Sequence, residues 1–563
     1  MFQTKTMIKN PLNILIIFIL SLILASCGKT PDTVFVNGKI YTMDNNNNVV
    51  EAVAVSEGKI IETGSTKDIT EKYKANNVID LKGAVVVPGL IDANGSLVDF
   101  SQNLNFLNLT GAKSIEDVKK IISDKVKTVQ PGELIGGYGW SEVNFSEADL
   151  LKIHKSVLDG VAPNNDVYLI DLTASVVWVN SRLLKTVGVD KNTPEPENGV
   201  IDKDENGELT GLFADNAIQL IKDKLPEPTR EERIIQVERG SKELLKYGIT
   251  EVHDRNIGEG GIEIFKELID KGNFPVRVYA TLTGNDKAFE EYLKKGVELN
   301  YKDKLTVRSV CLDYDGAFEI QDAAMKDDFK DEPKRKIPYS DEFEIEKVFK
   351  QAIDKGFQFS VKTVGDRAFA NTLNTLEKVI KEKSPKDHRT ILSSVEFTEP
   401  NDVNRLKDLK IIPSVAPEKD VMDMTLISEI INPEVGKKAG LWNSLLKSAG
   451  YITTGSDFPF NQINPFAQMY YLTTRQLVDT VITFPGAEQK LSILDALKSY
   501  TTYAAYASFE EEIKGSIEKG KFCDMVVISN DIFSVEPKKL LDTRVVMTII
   551  NGKVVYDSQN ITK

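Results

Sequence analysis

A β-then-α repeat through the middle of the chain, between two ends that are β-rich only, narrows the fold more than any other feature of these 563 residues. The repeat predicts strands at 167–171, 249–253, 276–280, 305–312, 357–361, 391–395, 411–415 and 451–454. Helical patterns lie between them. Ile345, Val348, Phe349, Ala352 and Ile353 recur at helical spacing after a candidate cap at Ser340 and before a stop at Gly356. Thr229 and Glu232, after Pro228, have the capping-box spacing. This many units favours a closed (β/α)8 barrel, although an open parallel sheet has the same local grammar. Barrel sites gather at the C-terminal ends of strands, so candidate chemistry is sought there.

Both ends read as antiparallel sheet: 33–42, 49–55 and 59–62 at the start, 524–528 and 545–556 at the finish, with Asn551-Gly552 as a hairpin turn. They predict one small β-sandwich built from both termini, 27–86 with 491–563. The barrel then occupies 87–490. Residues from about 100 to 235 exceed what a connection needs and predict an insertion over the barrel mouth.

Lys5 and Lys9 precede an apolar run from Ile14 to Leu24, too short to span a bilayer comfortably. It ends in Leu24-Ala25-Ser26-Cys27, which resembles a bacterial lipobox. The expectation is a signal peptide over 1–26 and a lipid anchor on Cys27, holding the protein to a membrane of the bacterial cell envelope. The alternative is an ordinary secretory signal in which Cys27 is incidental. Only Cys311 and Cys523 remain, which excludes a disulfide framework. A net charge of −14 and a single short basic run, Lys334-Arg335-Lys336, argue against nucleic acid as a partner.

The strand ends carry a resemblance. Val87-Pro-Gly-Leu-Ile-Asp-Ala-Asn-Gly-Ser96, Gly137-Tyr-Gly-Trp140, Gly248-Ile-Thr-Glu-Val-His-Asp254, Asp315-Gly316, Val364-Gly-Asp-Arg-Ala368, Gly455-Ser-Asp-Phe-Pro459 and Gly520-Lys-Phe-Cys-Asp524 occur in this order. Over nearly the whole chain this resembles the amidohydrolase superfamily, in the branch similar to N-substituted formamide deformylases, hydrolases of non-peptide C–N bonds. The resemblance implies a (β/α)8 barrel with a terminal β-sandwich. It also implies one or two divalent metals, held by a His-x-His pair, a carbamylated Lys, two further His and a last-strand Asp, that generate hydroxide from water.

At those positions this chain has Asn94 and Ser96, Cys311, Lys362 and Phe397; only Asp457 keeps a ligand. An ammonium at Lys362 opposes a cation. A further His that the family places near substrate corresponds to Ser175. The chain holds only three histidines, His154, His253 and His388, so four imidazoles are excluded by count. The expectation is a site without metal or other cofactor.

Asp457 is then a candidate catalytic base, or a buried carboxylate whose charge Lys362 offsets, which would lower its pKa. His253 and Asp254 sit at a strand's C-terminal end, where a hydrogen-bonded structural His is the plainer reading and ligand contact the other. Trp140 is either a substrate platform or core filling. Asp366 and Arg367 complete the candidate pocket. His154 and His388 lie among polar helix-end residues, expected to be exposed, and take no role. Cys311 reads as a small buried hydrophobe.

Together these predict a lipid-anchored, amidohydrolase-fold binding protein for a small molecule or partner, a pseudoenzyme in the barrel pocket. The alternatives are a C–N hydrolase, either metal-free with Asp457 and His253 or metal-dependent through unforeseen ligands, and a structural envelope component whose pocket is plugged by side chains such as Phe397.

Overall fold

In the computed structural model the β-branched runs of the middle segment form one parallel sheet. The structure describes residues 31–558 except 105, 143–144, 172–174, 198, 226–227, 259, 331–338 and 479–483. The leader, Cys27 and the 334–336 basic run lie outside the described residues. The chain divides into two compact units, 97–240 and the remainder on both sides of it.

In the larger unit eight strands follow one another: Leu90–Gly95, Ile249–Ile257, Arg277–Thr283, Leu305–Asp313, Gln358–Lys362, Ile391–Ser393, Ile412–Val415 and Thr453–Thr454. Every neighbouring pair is parallel. The eighth returns to the first: Asp457 N–H donates to Asn94 O at 2.8 Å, and Ser456 Oγ donates to Asp92 at 2.6 Å. Gly455 permits that approach, because a Cβ there would lie 2.3 Å from the Asn94 Cβ and 2.4 Å from its backbone nitrogen. The result is a nearly closed eight-stranded barrel of the (β/α)8 type, the outcome that parallel strands linked by helices favour.

Local signals explain the connecting helices. Glu342–Lys355 buries Ile345, Val348, Phe349 and Ala352 and stops at Gly356 in the left-handed region. Its cap is Asp341, which accepts from Glu344 N, rather than Ser340. Asp366–Lys383 follows the fifth strand.

Two further sheets belong to the larger unit. One has strands Thr33–Val36, Ala52–Ser56, Lys59–Gly64 and Asn77–Asp80. The other joins Lys39–Tyr41, Val49–Val50 and Val85–Pro88 from the N-terminal side with Met525–Ile528, Val545–Ile550 and Lys553–Asp557 from the C-terminal side. Val85–Pro88 pairs antiparallel with Met525–Ile528. Phe35, Val53 and Val55 of the first sheet share one apolar cluster with Ile40, Val86, Met525, Val527 and Ile549 of the second. Asn551 and Gly552 both take positive φ, 51° and 69°, as the hairpin requires.

The smaller unit carries its own six-stranded mixed sheet. Asp166–Asp171, expected among the barrel strands, pairs here with Leu134–Trp140 and Val176–Val179. It counts among the eight β-rich runs but falls within the segment read as an insertion, and a β-rich run by itself shows no sign of which sheet it joins. The Thr229–Glu232 capping box forms in both directions, at 3.2 and 2.8 Å. Among the described residues no helix is long and apolar enough to cross a membrane.

Candidate active site

The C-terminal ends of the first, second, fourth, fifth and eighth strands bring Asn94, Arg255, Asp313, Lys362 and Asp457 into one electrostatic neighbourhood. Asn94 bridges it. Its Nδ2 donates to Asp457 Oδ1 at 3.2 Å, while its Oδ1 accepts from Arg255 Nη1 at 3.3 Å. Arg255 also donates through Nη2 to Asp313 Oδ1 at 2.8 Å. That pair, with the Asp457 field, holds the guanidinium firmly charged despite its burial. Sequence reasoning missed Arg255 and Asp313 because neither stands at a family ligand position. The signal available was an Arg two residues after His253 on a strand that ends in the site.

Asp457 departs from expectation. Its carboxyl is pushed above the ordinary carboxylate range by burial, which outweighs the pull of Lys362 and Arg255. The anticipated contact with Lys362 is absent: among the described residues no carboxylate lies within ion-pairing distance of that ammonium, and none of its N–H groups has a partner. Lys362 acts on Asp457 through space only.

Asp92, two residues before Asn94, accepts from Asn94 N at 3.1 Å and from the backbone and hydroxyl of Ser456. Burial still pushes its carboxyl up to about 7. Ser96 donates its N–H to Phe458 O at 3.0 Å.

Several candidates have structural tasks instead. His253 Nε2 lies 3.4 Å from Glu251 Oε1, on the same strand face, and its ring centroid is 5.1 Å from that of Tyr279. Glu251 in turn is bound by Lys514. The imidazole therefore belongs to a buried Glu–Lys network and is not an Asp457 partner; Asp254 beside it is fully buried. Asp366 accepts from Lys326 N at 2.7 Å and pairs with Lys438 at 2.8 Å, and Arg367 Nε donates to Met325 O at 3.1 Å. Both pin the loop after the fourth strand. Asp315, pushed up to about 6 by burial, accepts three backbone N–H groups of the same region, from Ala324, Val364 and Gly365.

Trp140 is fully buried in the smaller unit's core, its Nε1 donating to Leu169 O at 3.2 Å and its ring edge-on to Trp178, so it is core filling and not a platform. Phe397 packs on Phe318 at 4.5 Å within an apolar cluster. Cys311 is buried, its thiol donates to Asn256 Oδ1 at 3.0 Å, and burial raises its pKa. Ser175, in the smaller unit, accepts from Asp215 N through its carbonyl. His154 caps the helix Lys155–Val161. His388 is buried rather than exposed, Nδ1 accepting from Thr390 N, and desolvation holds its pKa down at about 4.

A second charged group lies at the ends of the sixth and seventh strands. Lys419 binds Glu319 at 2.7 Å and Asp423, with Glu396 3.9 Å away. Burial and mutual repulsion push Glu396 well up and Asp423 to about 6. Asp420 accepts from Trp442 Nε1 at 2.7 Å.

A catalytic metal requires several lone pairs converging on one point. Here the amide nitrogen of Asn94, which has no lone pair to offer, faces Asp457, the Asn94 oxygen is committed to Arg255, and two fixed cations act on the same carboxylate. Among the described residues no group of three or more His, Cys, Asp or Glu could hold a metal ion. The residues present do not fit the family's metal centre.

A parallel eight-stranded barrel with these motifs at its strand ends defines an amidohydrolase fold, and the amidohydrolase family model matches residues 77–556, so the chain belongs to that family. It is 26% identical to YtcJ of Bacillus subtilis (strain 168) over 532 residues, covering 92% of this chain and 98% of that one. It is 24% identical to N-substituted formamide deformylase of Arthrobacter pascens, covering 93% and 98%. The structure of an uncharacterized metal-dependent hydrolase from Pyrococcus horikoshii OT3 superposes with a TM-score of 0.76 at 22% identity, over 90% of this chain and 99% of that one.

Proposed function

We propose that this amidohydrolase-family chain has given up metal-dependent hydrolysis and uses the strand-end site to bind a small molecule. The observation that carries the reading is the inverted electrostatics around Asp457, where an amide N–H donates to the carboxylate and an ammonium and a guanidinium act on it, groups that offer a metal no lone pair or repel it. The same fold supports binding and catalysis alike, so the argument rests on these residues and not on the barrel. Elemental analysis of the purified chain after incubation with zinc and manganese tests it. The expected result is well below one equivalent; retention of about one or two equivalents through dialysis, the stoichiometry of a catalytic centre, overturns it.

A second reading is favoured by one observation. A carboxyl held above its ordinary range suits proton transfer nearer neutrality, so Asp457 has the property of a general acid or base in metal-free C–N hydrolysis. Asp457→Asn would then abolish amide turnover while leaving ligand binding in place.

We read the two terminal sheets, which share one apolar cluster, as the small β-sandwich of the family. Cys27 is proposed as the acylated N-terminus that fixes the protein to the cell envelope. Mass analysis of the N-terminal peptide from the native host checks this, with two or three acyl chains expected on Cys27 and none on Cys27→Ala.

A further inference from the structure

Strand register places a row of polar side chains at one level across four neighbouring strands. Lys362 pairs with Ser393, the next step beyond Leu392–Pro413 sets Ser393 beside Ser414, and Ser414 pairs with Thr453. Directly paired residues of parallel strands project to the same face. Thr454 bonds Ser499 on the outer helix Ile493–Ser499 at 2.7 Å, so its neighbour Thr453 projects to the barrel interior, and the row with it.

These groups are polar, enclosed and unpaired. Ser393 is 3% exposed, Ser414 1% and Thr453 0%, and the hydroxyl of each has no hydrogen-bond partner. Lys362, at one end of the row, has three N–H groups without a partner among the described residues. The neighbouring Asp313 is engaged by Arg255. A buried polar group left unpaired is costly, so three in register beside an unpartnered ammonium mark a place where something else completes them. Each hydroxyl has a donor and acceptor lone pairs to satisfy, whereas the Lys362 ammonium has donors only. What completes the row brings hydrogen-bonding oxygens, with negative charge at the Lys362 end.

We propose that Lys362, Ser393, Ser414 and Thr453 form a carboxylate-binding subsite inside the barrel, for a small organic acid whose neighbouring carbons carry hydroxyl or carbonyl oxygens. The carboxylate meets Lys362 and Ser393, and the oxygens further along meet Ser414 and Thr453. The proposal rests on the metal-free binding reading and names its ligand class. The hydroxyls leave an apolar ligand without partners for them, and the Lys362 ammonium repels a cationic one.

Thermal-shift and calorimetric titration of the purified full-length chain with acetate, glycolate, malate and gluconate, with sorbitol as the uncharged control, tests it. Saturable binding is expected for at least one hydroxylated acid and not for sorbitol. Lys362→Met should weaken binding at least about tenfold, as loss of a charge-assisted bond implies, Lys362→Arg should retain part of it, and Ser414→Ala should weaken it by a smaller factor. Circular dichroism confirms that each variant is folded. Absence of binding by all four acids, the hydroxyls being satisfied by water only, overturns the proposal, as does equal binding by wild type and Lys362→Met. Metal analysis on the same sample separates the two ideas. Retained metal with binding unaffected by Lys362→Met defeats the metal-free reading, whereas a metal-free sample that binds none of the acids defeats the subsite alone.

Discussion

At the scale of single residues, burial decides more of this site than charge pairing does. Asp92 has four hydrogen-bonding contacts that favour its ionised form, yet desolvation lifts its carboxyl to about 7. A folded-state pKa above the unfolded value near 3.9 means that its contribution to stability is fully present below that value and is lost as pH rises through about 7. Asp92→Asn removes this dependence. The melting temperature of the variant relative to wild type should therefore move in the variant's favour between pH 5 and pH 8, and a flat difference would disprove the raised pKa. Asp457 teaches the same lesson: composition and motif pointed to a pair with Lys362 that lowers its pKa, but the two side chains do not touch and burial wins. Motifs say which groups gather at the strand ends; solvent access, which no motif encodes, sets the sign of the shift.

At the scale of elements, the closing seam between the eighth and first strands is a sterically constrained join beside the site. Gly455 meets Asn94 backbone and side chain at distances that no Cβ tolerates. Gly455→Ala should cost about 1–3 kcal/mol, read from urea unfolding, and should also perturb the site, because the strain falls on Asn94, whose amide bridges Asp457 and Arg255. An unchanged midpoint would mean the seam relaxes freely. Helix signals were legible where they are local: the Thr229–Glu232 box forms, and Gly356 ends its helix in the left-handed conformation. The cap one residue upstream was misassigned, Ser340 for Asp341, since both residue types cap and only the backbone path chooses between them. Asp166–Asp171 shows the larger limit, because a strand's sequence carries its pattern of burial but not its partner.

At the scale of the whole molecule, the two ends depend on each other. Val85–Pro88 finds its antiparallel partner in Met525–Ile528, more than four hundred residues away, and Arg277 of the third barrel strand binds Asp524 at 2.7 Å. A chain truncated after Glu518 should fail to fold, because it strips one edge of Val85–Pro88 and leaves Arg277 buried without its carboxylate, a loss of about 3–5 kcal/mol by itself. Native-like circular dichroism and solubility of that truncation would refute the dependence. Sequence by itself determined the barrel class, the pairing of the two ends and the count of three histidines, because periodicity, turn chemistry and residue identity are local properties of a chain. Tertiary structure alone decided that His253 serves Glu251, that Trp140 fills a core, that Arg255 and Asp313 enter the site, and that Lys362 heads a row of buried hydroxyls. Those are matters of register, burial and distance between residues far apart in sequence, and they exist only once the strands have closed around one another.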